Sequence, residues 1–291
     1  MIRLTTFGSL EIRESDGTEF PSLAAHPKPA ALLVYLAVAH PNGWHRRDTL
    51  TSIFWPEQDS AHARASLRQA LYFLRQELGH EAIMTRGDVD VRLQEGICAS
   101  EVAAFHTAIE QKDCTAAAEL YAGPFLDGFH LSGAPEFERW VDTERDRFSR
   151  VYAEAVEHMA RQAENPADAV ACWHRLADHD PHSGRVALEL MKALEAVGNR
   201  AAALHVASKH ATALDMDLGA TPDPDVEAFA HQLRDGSPPH GATAPEHHPD
   251  APSTQGVPTV LTGQRGWVLR AIVVLAVAAV VVSIILSLPF R

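Results

Sequence analysis

Cysteine is scarce in this chain, with three residues in 291 (Cys98, Cys114 and Cys172). Their number is odd and none sits in a CxxC pair, which excludes both a disulfide framework and a cysteine-based zinc site. They are expected to be buried thiols in a reducing compartment. Catalytic signatures are also missing: there is no phosphate loop, no GxSxG, no HExxH and no kinase-like set. Seventeen histidines are present, but they are scattered, without carboxylates or cysteines at ligand spacing. The expectation is a protein without catalytic residues, cofactor or metal. The N-terminus, MIRLTTFGSLEI, lacks an apolar run behind a basic start, so no secretory signal is expected.

Basic excess is absent too, since the net charge is −13. Taken globally, that argues against a nucleic-acid partner. The acidity is unevenly spread, however. Residues 1–100 carry 10 Lys/Arg against 12 Asp/Glu, residues 101–235 carry 12 against 24, and residues 236–291 carry 3 against 2. The negative charge belongs to the middle of the chain.

One long hydrophobic run exists, from Ala271 to Leu288 (AIVVLAVAAVVVSIILSL). It holds no charge, and Ser283 and Ser287 are its polar residues. At about 1.5 Å per residue it reaches about 27 Å, close to the apolar thickness of a bilayer. A buried core helix would show a polar face, and this segment has none. A transmembrane helix over 267–289 is expected, with the bilayer contacted through Ala271–Leu288. Arg265 and Arg270 precede the span and Arg291 follows it, which places the N-terminal portion in the cytoplasm and the chain in the cytoplasmic membrane as a single-pass protein. Residues 236–264, rich in Pro, Gly, Ser and His, cannot bury apolar surface and are expected to be a disordered linker. His240, Glu246, His247, His248 and Asp250 lie among its prolines, with no helix to fix a metal site.

The N-terminal hundred residues open with a strand over Ile2–Ile12 and a turn at Asp16-Gly17. An apolar helix is expected over Lys28–His40, closed by Pro41-Asn42-Gly43, then a short helix over Arg47–Phe54 stopped by Trp55-Pro56. A third helix, Ser60–Leu78, places Ala63, Leu67, Ala70, Leu71, Leu74 and Leu78 on one face. Arg64, Arg68 and Arg75 flank that face, and no acid occurs from Ser60 to Gln76. A helix entering the major groove needs cations for phosphates and forked or amide side chains for base edges, and arginine and glutamine supply both. After Gly79, AIMTRGDVDVRL reads as a hairpin with Arg86-Gly87-Asp88 at its tip, in the position of a wing.

These residues resemble a known family. HPNGWHRRDTLTSIFWPEQDSAHARASLRQALYFLRQEL is similar to the DNA-binding part of the antibiotic-regulatory (SARP) activators, a branch of the OmpR-type winged helices. Phe54-Trp55-Pro56 and the run Ala63 to Leu71 match its Leu-Trp-Pro element and its recognition helix. Arg46 stands where the family commonly has a Ser or Thr cap, and Tyr72-Phe73 where members often have Ser-Arg. The resemblance implies DNA contacts from Arg47, Arg64, Ser66, Arg68, Gln69, Tyr72, Arg75 and Arg86.

From Glu101 to Leu233 the pattern is helical. Residues 172–214 place Ala187, Leu190, Leu194, Gly198 and Ala203 near the small and apolar positions of a tetratricopeptide helix pair. Trp140, Phe137 and Phe148 lie on an amphipathic helix and are expected in its core. Upstream, Leu120–Phe129 and Trp140–Arg145 resemble the bacterial transcriptional activation domain that accompanies this winged helix.

The expected architecture is therefore mainly α with a small β portion: a winged helix-turn-helix over 1–97, a helical domain over 98–235, the linker and the span. The resemblance implies promoter DNA as a partner, self-association as a homodimer on DNA, and contacts of 98–235 with RNA polymerase or a regulatory protein. The competing reading is a membrane-anchored adaptor whose winged helix no longer binds DNA.

Overall fold

The computed structural model describes residues 1–236. The expected linker and membrane span, 236–264 and 267–289, lie outside the described residues apart from Gly236. Among the described residues, no helix is long and apolar enough to cross a membrane.

The chain opens with β1 (Ile2–Thr5) and β2 (Glu11–Glu14), paired antiparallel with Leu4 opposite Ile12. Alternation fixes the faces of β1, with Ile2 and Leu4 buried and Arg3 exposed. The turn after β2 is an Asx turn in which the Asp16 carboxylate accepts from the Thr18 amide at 2.9 Å. Two helices follow, α1 (Pro21–Ala24) and α2 (Pro27–Val38). Helix α2 starts at a proline whose missing N–H costs a first turn nothing. It buries Ala30–Val34, Leu36 and Val38. It stops two residues before the expected His40.

Strand β3 (His45–Arg46) leads into α3 (Arg47–Phe54). Arg46 is the N-cap and its side chain makes no capping bond. The Arg47 amide instead donates to the Val89 carbonyl at 2.8 Å, so the turn of the neighbouring hairpin does the work of a cap. Helix α4 (Ser60–Leu78) has its expected bounds. Asp59 caps it by accepting from the Ala61 and His62 amides at 3.0 and 3.1 Å. Ala63, Leu67, Ala70, Leu71 and Leu74 are buried, as the spacing requires.

The hairpin is β4 (Ile83–Arg86) and β5 (Asp90–Leu93), with Gly87 at φ 56° in its turn. Strand β3 joins it, giving a sheet of order β3-β5-β4. Strand β6 (Cys98–Ser100) returns to the first sheet and pairs parallel with β1, giving β2-β1-β6. Sequence reasoning set a boundary at 97/98, and β6 carries the chain back across it.

The rest is helical: α5 (Glu101–Glu110), α6 (Cys114–Leu120), α7 (Pro135–Gln162), α8 (Pro166–His179), α9 (Gly184–Ala196), α10 (Arg200–Leu218) and α11 (Pro224–Asp235). Residues 172–214 cover the end of α8, all of α9 and most of α10. The consecutive helices α7 to α10 pack pairwise as a stack.

The winged helix and the stack share one core. Phe7 packs edge-on against Phe105 and Phe148 at 5.3 and 5.2 Å between ring centroids. Tyr35 meets Trp140 at 4.8 Å, and Phe54 meets Phe137 at 5.3 Å. Phe137 and Phe148 are fully buried and Trp140 is partly buried against the same core. Polar groups join the halves as well. The Thr6 and Phe7 amides donate to the Glu101 carboxylate, and the Leu126 and Asp127 amides donate to the Thr6 and Gly8 carbonyls at 2.7 and 2.8 Å. Arg145 locks that junction by donating to the Phe125 and Leu126 carbonyls, both at 2.7 Å.

The cysteines are free. Cys172 is buried and the other two half-buried, so the expectation of three buried thiols holds for one. Burial pushes the Cys98 thiol up to about 12, far from a reactive thiolate.

Candidate nucleic-acid interface

Helix α3 and the turn after it set α4 against the protein body by its apolar stripe, leaving the opposite face in solvent. On that face Arg64, Arg68, Gln69 and Tyr72 are exposed, Tyr72 by 62%. Ser66 is half-buried, and its hydroxyl donates to the Gln58 side-chain oxygen at 2.9 Å. Arg64 reaches Asp48 of α3 at 3.2 Å with both side chains more than half exposed. Such a pair stabilises little and exchanges readily for another anion.

A cleft of about 560 Å³ opens between the start of α3, the middle of α4 and the tip of the hairpin. Arg46, Arg47, Arg64 and Arg68 line it, together with Asp48 and Asp88. Four cations against two anions leave it short of negative charge. Arg47 registers the deficit. Burial pulls its guanidinium below the ordinary range, Asp88 opposes that, and Arg75 and Arg68 add to it. Its Nε is buried and has no hydrogen-bond partner among the described residues.

Arg75, expected beside these groups, is turned to another task. Its Nε and Nη2 donate to the Ile83 carbonyl at 3.3 and 3.0 Å, tying α4 to β4. Arg86, at the hairpin, lies over the Trp44 ring at 4.4 Å, and Arg92 lies over the same ring at 4.8 Å. The structure thus brings together Arg47, Arg64, Arg68 and the hairpin tip, and holds Arg75 and Arg86 in contacts of their own. Trp44, Arg46, Asp48 and Arg92 were not among the expected site residues. The aromatic and basic run Trp44-His45-Arg46-Arg47 was the available signal.

His45 sits behind this surface, buried, with Nε2 unpartnered among the described residues. Burial first, then the charge of His40, holds its pKa below the usual histidine value. The neutral ring is a packing element against Tyr35, 5.5 Å away. Among the described residues, no group of His, Cys, Asp and Glu is arranged to hold a metal ion.

Helices α2, α3 and α4 followed by a strand pair, with the arginine-bearing α4 facing solvent, have the arrangement of a winged helix-turn-helix, here fused to a helical stack. The second part gives the family. The model of the bacterial transcriptional activator domain matches residues 88–234, and the chain belongs to that family. The match opens within the hairpin, at Asp88. No curated protein matches the sequence significantly. Among solved structures, the chain is similar to Mycobacterium tuberculosis EmbR in complex with a low affinity phosphopeptide. The TM-score is 0.53 at 23% identity, over 81% of this chain and 66% of that one. At that identity the likeness is one of fold, and the chain spans slightly less than two thirds of the EmbR chain.

Proposed function

We propose that this protein is a membrane-tethered, DNA-binding transcription regulator of the SARP type that acts by binding, with no reaction of its own. Helix α4 reads promoter DNA in the major groove. Arg64 and Arg68 hold phosphates, Gln69 and Tyr72 face the bases, Arg47 and Arg46 receive a phosphate in the cleft, and the hairpin lies alongside with Arg86. Arg75 and Ser66 position α4. Residues 101–235, with 24 acids against 12 bases, are repelled by DNA and serve self-association and contact with RNA polymerase or a regulatory protein. Ala271–Leu288 anchors the chain in the cytoplasmic membrane with the N-terminal part in the cytoplasm.

The observation that carries the reading is the anion-deficient cleft of four arginines beside an exposed helix face without acids. Asp48 and Asp88 at the same cleft favour a second reading, an adaptor in which these acids occupy the arginines and DNA is not bound.

Mobility shift of promoter fragments by the full chain in detergent separates the two. Each phosphate contact contributes about 0.9 to the slope of log K against log salt. Arg64→Ala with Arg68→Ala should therefore flatten the slope by roughly 1.8. No salt-sensitive shift, or an unchanged slope, supports the adaptor. For the anchor, carbonate-washed membranes should retain the full chain and release one ending at Gly263, and recovery of the full chain in the soluble fraction rejects it.

A further inference from the structure

The sheet β3-β5-β4 has one face inside and one outside. His45, Ile83, Val91 and Leu93 are buried. Alternation sends Met84, Arg86, Asp90 and Arg92 to the other face, where Met84 stands opposite Arg92 and Arg86 opposite Asp90. Arg46 of β3 stands on the far side of Asp90, and it also lines the arginine cleft. The outer face of the sheet thus runs into the proposed DNA contact.

Register alone would set Arg86 against the Asp90 carboxylate, since opposite charges on paired strands attract. The Arg86 guanidinium instead lies over the Trp44 ring, 4.4 Å from its centroid. Arg92 lies over the same ring at 4.8 Å and is half-buried, with Nη2 3.5 Å from the Met84 sulfur. Arg86 is exposed. The two pairings differ in what they leave free. A carboxylate would take the guanidinium N–H groups, often two at once, whereas an indole attracts the cation by its π face and offers no acceptor atom. The ring therefore fixes the charge and leaves donors for another anion. The turn that delivers it is tight: the Gly43 amide donates to the His40 carbonyl at 2.9 Å, and a side chain at Gly43 would strike the His40 ring.

We propose that Trp44 is a positioning residue for DNA binding, which holds the Arg86 guanidinium off the hairpin acids Asp88 and Asp90 and keeps it presented to a backbone phosphate beside the α4 contact. The assignment rests on reading α4 as the DNA-binding helix, and it gives the ring a task beyond packing.

The test is a mobility shift of promoter fragments by the full chain in detergent, taken across a salt series. One phosphate contact contributes about 0.9 to the slope of log K against log salt, so Arg86→Ala should flatten the slope by about that much. Trp44→Leu keeps apolar bulk, removes the π face and should flatten the slope by most of the same amount. Trp44→Phe restores a π face and should return the native slope. In an Arg86→Ala background, Trp44→Leu should change the slope no further. A ring that only packs would lower affinity by one factor at every salt concentration and in both backgrounds. A native slope in Trp44→Leu or in Arg86→Ala, or a further flattening in the double variant, overturns the proposal. The Arg86→Ala arm decides even where Trp44→Leu fails to fold, because that side chain is exposed. Arg64→Ala with Arg68→Ala is measured alongside. Flattening there with a native slope in Trp44→Leu rejects the positioning role and leaves the DNA reading standing, whereas no salt-sensitive shift by the native chain rejects both.

Discussion

Replacing Phe137 with alanine should destabilise the winged-helix half of the molecule as much as the helical stack, although Phe137 belongs to the stack. The ring is fully buried at the start of α7. It touches Phe54 of α3 at 5.3 Å and Trp140 at 5.5 Å, with Phe129 at 6.3 Å. Truncating a buried phenylalanine costs about 3–5 kcal/mol in lost transfer energy and residual cavity. For a folded body of this size, about 2–4 °C of Tm is lost per kcal/mol, so a fall of roughly 6–20 °C is expected. The informative quantity is where the loss is felt. Trp44 and Trp55 report on the winged helix, and Trp140 and Trp173 on the stack. Variants retaining one pair of tryptophans can be melted separately by fluorescence. Because the halves share one core, both pairs should report the same lowered midpoint. Two separate transitions, with the Trp44 and Trp55 signal unmoved, would refute the shared-core argument.

Two further outcomes follow from the site and the core. Asp48→Asn releases Arg64 from an exposed ion pair worth about 0.2–1 kcal/mol. DNA affinity at low salt should therefore rise between roughly 1.4- and 5-fold, and an unchanged or lower affinity in mobility shift counts against Arg64 as a phosphate contact. Burial is the first cause holding His45, His106 and His179 below the usual histidine pKa. Between their folded values and 6.5 the unfolded chain binds more protons, so acidification should lower stability progressively as pH falls below 6.5. A melting temperature that is flat or rises on going from pH 7 to 5.5 contradicts that sign.

Local patterns made much of the winged helix legible. Helix α4 was readable end to end, because its apolar stripe recurs at helical spacing and Gly79, at φ 99°, stops it. The hairpin was readable from alternation around Arg86-Gly87-Asp88. What escaped depends on distance along the chain. Strand β3 is two residues long, too short for periodicity, and exists because β5 pairs with it. The pairing of β6 with β1 joins segments more than ninety residues apart, and nothing in either announces the other. In the site, charge type was legible and direction was not. Arg64, Arg68 and Arg75 share one flank of α4, yet Arg75 turns to the Ile83 carbonyl because β4 runs beside it. The apolar run at Ala271–Leu288 was visible from composition alone, and it lies outside the described residues.

The pairing of β1 with β6, and of Phe7 with Phe125, also bears on synthesis. The first strand leaves the ribosome long before β6 and Phe125 exist. At about 5–20 residues per second, Phe7 waits roughly 6–24 seconds for Phe125. During that interval Leu4 and Phe7 have no complete core to enter. The winged-helix segment is thus finished only after the part that follows it has begun to form, and truncation before residue 126 removes the Phe7–Phe125 bridge or the bond from the Leu126 amide to the Thr6 carbonyl that join the two.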